Sequence, residues 1–258
     1  MNQIDIKKKT YALASVDGLN AELTLYGDIY ESRPIDWWTG EPEPGEYILL
    51  DEFLEDLKEI EGARRLTIRM NSYGGDAMVA DVIHNRIREL ARGGMKTICI
   101  VDGVAMSGGS LIMCACDTVE VNPSSLIMIH NAWQFLFGGY NVEDLLSAAD
   151  ALDAADRMQA AIYQRKTGLS EEEIRGMMRE TTYMTGQEAV DKGFADKLVE
   201  GAQPLQIAAS ADRRTIFVGK RALHLTPGMT APETLETIEP AEAWRARMLE
   251  KLNKNKED

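Results

Sequence analysis

Leu66-Thr-Ile-Arg-Met-Asn71-Ser-Tyr-Gly-Gly75 is the stretch that decides the fold. Leu66–Met70 is a short β-type run, and Asn71-Ser-Tyr-Gly-Gly behind it reads as a sharp turn. Residues 76–92 then take helical spacing through Val79, Val82, Ile83, Ile87 and Leu90. The same order follows at once. Thr97–Val101 reads as a strand, Gly103-Val-Ala-Met-Ser-Gly-Gly as a small-residue turn, and Ser110–Cys116 as a buried helix. Thr118–Val121 and Leu126–Ile129 suit two more short strands. Repeated β-turn-α units predict an α/β domain with helices packed on a sheet.

Working outward, Ala21-Glu-Leu-Thr-Leu-Tyr-Gly-Asp-Ile-Tyr alternates polar and apolar residues and predicts a strand. Residues 31–46 carry three prolines and two glycines around Trp37 and Trp38, so they read as a loop. The tryptophans serve either as a contact surface or as packing for that loop. Asp51–Ile60 is an amphipathic helix with Phe53, Leu54, Leu57 and Ile60 on one face. Downstream, Asn141 is placed to N-cap a long helix to Lys166, and Gly168 to stop it. Ser170-Glu-Glu-Glu and Thr185-Gly-Gln-Glu open two further helices, the second closing at Gly193. The expected organisation is an N-terminal arm (1–20), a core domain (21–200), an edge extension (201–225) built on a strand-like Arg214–Leu225, and an acidic, partly disordered tail (226–258).

Composition narrows the function. The 258 residues are 45% hydrophobic and 27% charged, ordinary globular values. A net charge of −14 disfavours duplex nucleic acid as a partner. No apolar run approaches the roughly 20 residues a membrane span needs, and the N-terminus lacks a signal-type apolar stretch. A soluble, cytoplasmic protein is expected. Three cysteines suit a reducing compartment. Cys114-x-Cys116 lacks a second pair or nearby histidines, so buried thiols are expected and no metal.

Three histidines are present. His84 falls among charged residues in a helical pattern and is expected to be solvated, and His224 lies outside the core. His130 ends the run Leu126-Ile-Met-Ile, where an imidazole can transfer protons or simply cap a strand. Ser107 sits between a strand and a helix, where it can be a nucleophile or an ordinary N-cap. Gly74-Gly75 can aim backbone N–H groups at a ligand oxygen, or make only a tight turn. The spacing is not that of a nucleotide P-loop. The order is more informative than any one residue. Gly-Gly, Ser107 and His130 each follow a strand, and strand C-terminal ends are where open α/β sheets build their sites.

Asn71-Ser-Tyr-Gly-Gly, Gly103-Val-Ala-Met-Ser-Gly-Gly and Met128-Ile-His130 resemble the three core motifs of the Clp protease proteolytic subunit family. Thr185-Gly-Gln-Glu-Ala-Val-Asp-Lys-Gly-Phe-Ala-Asp196 resembles its closing segment. The resemblance covers residues 21–200 and implies a ClpP/crotonase-like spiral of β-β-α units with a protruding handle helix at 141–166. The opening Ala21-Glu-Leu-Thr-Leu-Tyr-Gly-Asp-Ile, the helix Phe53-Leu-Glu-Asp-Leu and the acidic tail are similar to the phage-encoded head maturation branch. The resemblance implies a serine endopeptidase cleaving capsid or scaffold proteins. Ser107 is then the nucleophile, His130 the general base, and the Gly75 and Gly108 amides the oxyanion hole. It also implies homo-oligomeric rings, heptameric or stacked, with no cofactor. The third triad position departs from the family pattern. Thr181 stands where the housekeeping family has aspartate, and Glu180 is one residue away. The triad uses Glu180, a dyad operates, or the chain is silent. The alternatives are a housekeeping subunit fed by an ATPase, a crotonase-type acyl-CoA enzyme, and a catalytically silent scaffold protein.

Overall fold

The computed structural model describes residues 13–16, 19–60, 62–199, 207–218, 221–224 and 230–231. The chain divides into two compact units, Met1–Ala202 and Gln203–Asp258. The first holds a nine-stranded mixed sheet flanked by helices. β1 (Leu13–Val16) pairs antiparallel with β2 (Asn20–Tyr30), so the segment expected to be a loose arm contributes a strand. β3 (Tyr47–Leu49) runs parallel to the end of β2 and leads into α1 (Leu50–Glu59). β4 (Arg65–Gly75) is followed by α2 (Ala77–Arg92), β5 (Lys96–Met106) and α3 (Gly108–Met113). β6 (Thr118–Val121) and β7 (Leu126–Ile129) complete the parallel part of the sheet.

Alternation along the first halves of β2 and β4 gives this part of the sheet two faces. Ala21, Leu23 and Leu25 of β2 and Leu66, Ile68 and Met70 of β4 point into the core, where α2 brings Val79, Ala80, Ile83 and Ile87. The intervening residues are half-buried. Among them the Tyr26 hydroxyl donates to Asp102 Oδ2 at 2.7 Å, and Arg69 grips both carboxylate oxygens of Asp102 across β4 and β5.

β4 and β5 run well past the strands expected at 66–70 and 97–101, and the reason is a bulge. Their register moves from Met70 opposite Val101 to Ser72 opposite Ala105, so β5 carries two extra residues there. The buried Asn71 side chain accepts the Val104 N–H at 3.1 Å and satisfies the backbone the bulge would orphan. The strand forks at this point. Ile98–Val101 pairs with β6, whereas Val104–Met106 pairs with β7. The glycine-rich stretch read as a turn is therefore strand, and the turn is compressed into Ser107.

α4 (Val142–Thr167) is bounded as its ends predict. Asn141 and Asp144 form a capping box, and Gly168 takes the left-handed conformation at φ 76°. Its N-terminal half is exposed, and its C-terminal half buries Ala155, Ala160, Ile162 and Tyr163. α5 (Glu171–Arg179) and α6 (Gly186–Asp191) start at capping boxes on Ser170 and Thr185. Between them β8 (Thr182–Thr185) pairs antiparallel with β7, a strand that residue patterning did not predict because it is only four residues long. β9 (Lys197–Leu198) closes against β6.

In the second unit β10 (Ile207–Ala209), β11 (Thr215–Val218) and β12 (Arg221–His224) form their own three-stranded antiparallel sheet. Arg214–Leu225 was expected as one edge strand, but Val218 pairs with Arg221 and the segment is two strands. Gly219-Lys220 between them is a two-residue hairpin signal. Most of the expected acidic tail lies outside the described residues. Within it, the Ala231 N–H donates to Arg213 O at 2.8 Å and Ala231 is buried.

Candidate active site

β5 delivers Ser107 into a backbone conformation that a non-glycine residue seldom adopts, φ 50° and ψ −124°. Such a turn between a strand and a helix lifts the side chain clear of both. Ser107 occupies the N-cap position of α3, yet its side chain makes no capping hydrogen bond. Its Oγ lies 2.8 Å from His130 Nε2 instead. The ordinary N-cap explanation for this serine is therefore set aside by the geometry.

His130 follows β7, which pairs with β5 through Val104–Leu126, Ala105–Ile127 and Met106–Met128. The Ser107 N–H continues that ladder to Met128 O at 2.9 Å. Parallel neighbours in register bring two residues 23 positions apart within one hydrogen bond. His130 is only 6% exposed, and burial lowers its pKa from the ordinary 6.5 to about 4. The ring is thus neutral near pH 7, and its Nδ1–H tautomer presents Nε2 as an acceptor for the serine proton.

Gly74 and Gly75 reach the same point from β4, with φ of 98° and 143°. A Cβ on Gly74 would lie 2.6 Å from Ser107 Cβ, so only glycine permits this approach. A Cβ on Gly108 would lie 3.6 Å from Gly75 N, so the backbones of Gly75 and Gly108 approach each other closely beside Ser107. Ser72 stiffens the turn, donating to Gly27 O at 2.6 Å and accepting the Gly74 N–H at 3.2 Å. Sequence reading passed over Ser72 and Asn71, whose roles depend on partners at Gly27 and Val104.

The third position is different. Thr181 follows α5 with φ 51°, an outlier for a β-branched residue. Glu180 is the C-cap of α5 and is exposed, its N–H bonded to Gly176 O and Met178 O. Among the described residues no carboxylate bonds the His130 ring. Near it, Asp156 of α4 accepts the Ala132 N–H at 2.7 Å and holds the segment after His130.

His84 corrects an expectation. It is fully buried, not solvated. Its Nδ1 donates to Leu111 O at 2.7 Å and its Nε2 accepts from Arg165, a pairing that requires the neutral ring. Desolvation, with Arg165 and Arg88 nearby, lowers its pKa to about 4. It ties α2 to α3 and α4. The three cysteines are buried and free, and burial pushes Cys114 up to about 12. No group of three His, Cys, Asp or Glu residues among those described is placed to hold a metal, and no described helix is long and apolar enough to cross a membrane.

Comparison with known proteins agrees with this arrangement of strands. The model of the Clp protease family matches residues 48–202, the span from β3 to the end of the first unit. The chain belongs to the Clp protease family. A relative, the ATP-dependent Clp protease proteolytic subunit of Deinococcus radiodurans, is 29% identical over 140 residues. That match spans 53% of this chain and 66% of the relative, just short of two thirds of its length. The mixed α/β sheet with its helices is consistent with the family's fold, and the matched segment contains Gly75, Ser107, Gly108 and His130.

Proposed function

We infer that the chain is a serine endopeptidase working by acyl transfer. Ser107 Oγ attacks the scissile carbonyl, and His130 Nε2 takes its proton and returns it to the leaving amine. The Gly75 and Gly108 amides receive the negative charge that develops on the carbonyl oxygen. The observation that carries this reading is the 2.8 Å contact between His130 Nε2 and the hydroxyl of a serine held at φ 50°. Glu180 can serve as third member only from a turn. The chain does turn there, since Glu180 ends α5 and Thr181 is left-handed. A dyad is the competing form. Glu180→Gln against Thr181→Val, assayed on one peptide, separates them: loss only in Glu180→Gln supports the triad, and loss only in Thr181→Val supports the dyad.

The substrate reading is a head maturation protease that cuts capsid or scaffold proteins within homo-oligomeric rings. Its support is the similarity of Ala21–Ile29 and of the helix at Phe53 to that branch, with the acidic tail. The name of the Deinococcus relative favours a second reading, a proteolytic subunit that depends on an ATPase. A fluorophosphonate probe tests the chemistry. Co-expression with a phage capsid protein, set against addition of an unfoldase ATPase with ATP and an unfolded protein, tests the substrate. Cleavage of the capsid protein without ATP supports the first reading, and ATP-stimulated turnover supports the second.

A further inference from the structure

The turn at Ser107 is held by more than the strand and helix that carry it. Its carbonyl accepts the Ser110 N–H at 2.9 Å and the Leu111 N–H at 3.3 Å, the ordinary first bonds of α3. It also accepts the Ser110 hydroxyl at 2.7 Å. A carbonyl only accepts, so the Ser110 proton is committed to Ser107 O. Ser110 Oγ lies 2.8 Å from the Tyr163 hydroxyl as well, and Tyr163 must therefore be the donor in that pair. Both side chains are fully buried. Tyr163 reaches in from α4 with its ring against Phe194, centroids 5.7 Å apart. Burial holds its hydroxyl well above the usual phenol range, so it remains a protonated donor.

We propose that Ser110 and Tyr163 are positioning residues, a buried relay from the Tyr163 hydroxyl through the Ser110 hydroxyl to the Ser107 carbonyl that keeps the nucleophile turn in its reactive geometry. The inference rests on reading Ser107 as the nucleophile. Its physical basis is the planarity of one peptide. Ser107 O and the Gly108 N–H belong to the same rigid unit. Ser107 relaxes from its unfavourable ψ of −124° by rotating that unit, which swings the Gly108 N–H away from the developing oxyanion. A third hydrogen bond on Ser107 O opposes that rotation. The relay therefore orients the nucleophile and one oxyanion donor together while touching neither substrate nor reacting atoms.

The test uses the full chain and a fluorophosphonate, whose phosphoryl oxygen uses the same donors as a peptide oxyanion. The readouts are the rate of covalent labelling per labelled site, and kcat and KM on one peptide. Ser110→Ala is expected to lower the labelling rate and kcat by about tenfold or more, with KM within about twofold. Tyr163→Phe keeps the ring packing and is expected to lower both by about threefold. The double variant is expected to match Ser110→Ala, because Tyr163 acts only through Ser110. A purely structural role would lower thermal stability and the labelled fraction and leave the rate per labelled site unchanged. That outcome in Tyr163→Phe, which is expected to fold, overturns the proposal. Additive losses in the double variant overturn the relay. A wild-type chain that does not label at all overturns the nucleophile reading and this inference with it, whereas a labelled wild type with unaltered variants overturns this inference alone.

Discussion

Thr182 pairs with Ile129 at the end of the β7–β8 ladder, which stops one residue short of both Thr181 and His130. The resemblance would put Thr181 where the housekeeping family has aspartate, and a threonine there can accept a hydrogen bond from imidazole but cannot balance an imidazolium charge. Thr181 also sits at φ 51°, a region that aspartate tolerates better than a β-branched side chain. Thr181→Asp should therefore raise kcat by about tenfold or more and leave the melting temperature unchanged or higher. The carboxylate of a serine-protease template is worth about 10⁴ in rate. Steady-state kinetics on a fluorogenic peptide check it, and a kcat at or below wild type counts against the placement of Thr181.

Ser107→Ala is expected to abolish peptide hydrolysis while the chain folds as before. The Oγ makes no capping bond, so α3 does not depend on it. Loss of the His130 bond should cost no more than about 1 kcal/mol. Residual hydrolysis at the wild-type rate in a folded variant would sink the mechanism.

Acid should act through the two buried histidines. Both have a folded-state pKa near 4, below the 6.5 expected when unfolded. The unfolded chain therefore binds more protons between pH 6.5 and 4. Stability is complete above pH 6.5 and falls as the pH drops through that window, by an amount of order 3 kcal/mol for each histidine. Denaturant unfolding at pH 7.5, 5.5 and 4.5 tests the sign. Activity should persist below pH 6, since His130 stays neutral there, and an acid limb centred at 6.5 would contradict the burial argument.

Gly75→Ala should damage both fold and activity. Its Cβ would lie 2.2 Å from Ile29 O, a backbone atom that cannot step aside, and φ is 143°. Destabilisation of at least about 2 kcal/mol is expected, with hydrolysis lost. Gly40→Ala is the matched control at positive φ, because nothing lies within 4 Å of its Cβ. Equal loss in both would point to backbone strain alone and remove the packing explanation.

The first unit is expected to fold without the residues that follow it. The chain's own division at Ala202 gives a cleaner cut, because the first unit contains the whole nine-stranded sheet and the Ser107–His130 pair. A chain ending at residue 202 should unfold cooperatively with a melting temperature within a few degrees of the full chain. A cut at Thr226 should instead weaken the second unit, since it removes the Ala231 bond to Arg213. Loss of cooperativity on truncation at 202 would show that the second unit supports the first.

Local rules settled what neighbouring residues settle. The helices begin where Asn141, Ser170 and Thr185 cap them, and α4 ends at Gly168. The order strand, Gly-Gly, strand, serine, strand, histidine was legible in the chain and already named Ser107 and His130. Alternation and capping are short-range properties carried by a few adjacent side chains, so sequence alone determines them. Partners across the sheet are not short-range. The bulge that carries β5 from β6 to β7 depends on Asn71 finding Val104, and the contact between Ser107 and His130 depends on the register that follows. His84 shows the same limit. Charged neighbours in the chain suggested solvent, but the helix turns it toward Leu111 and Arg165. Which residues of β8 meet β7 is likewise decided by the pairing register, because a shift of one residue turns every side chain to the opposite face.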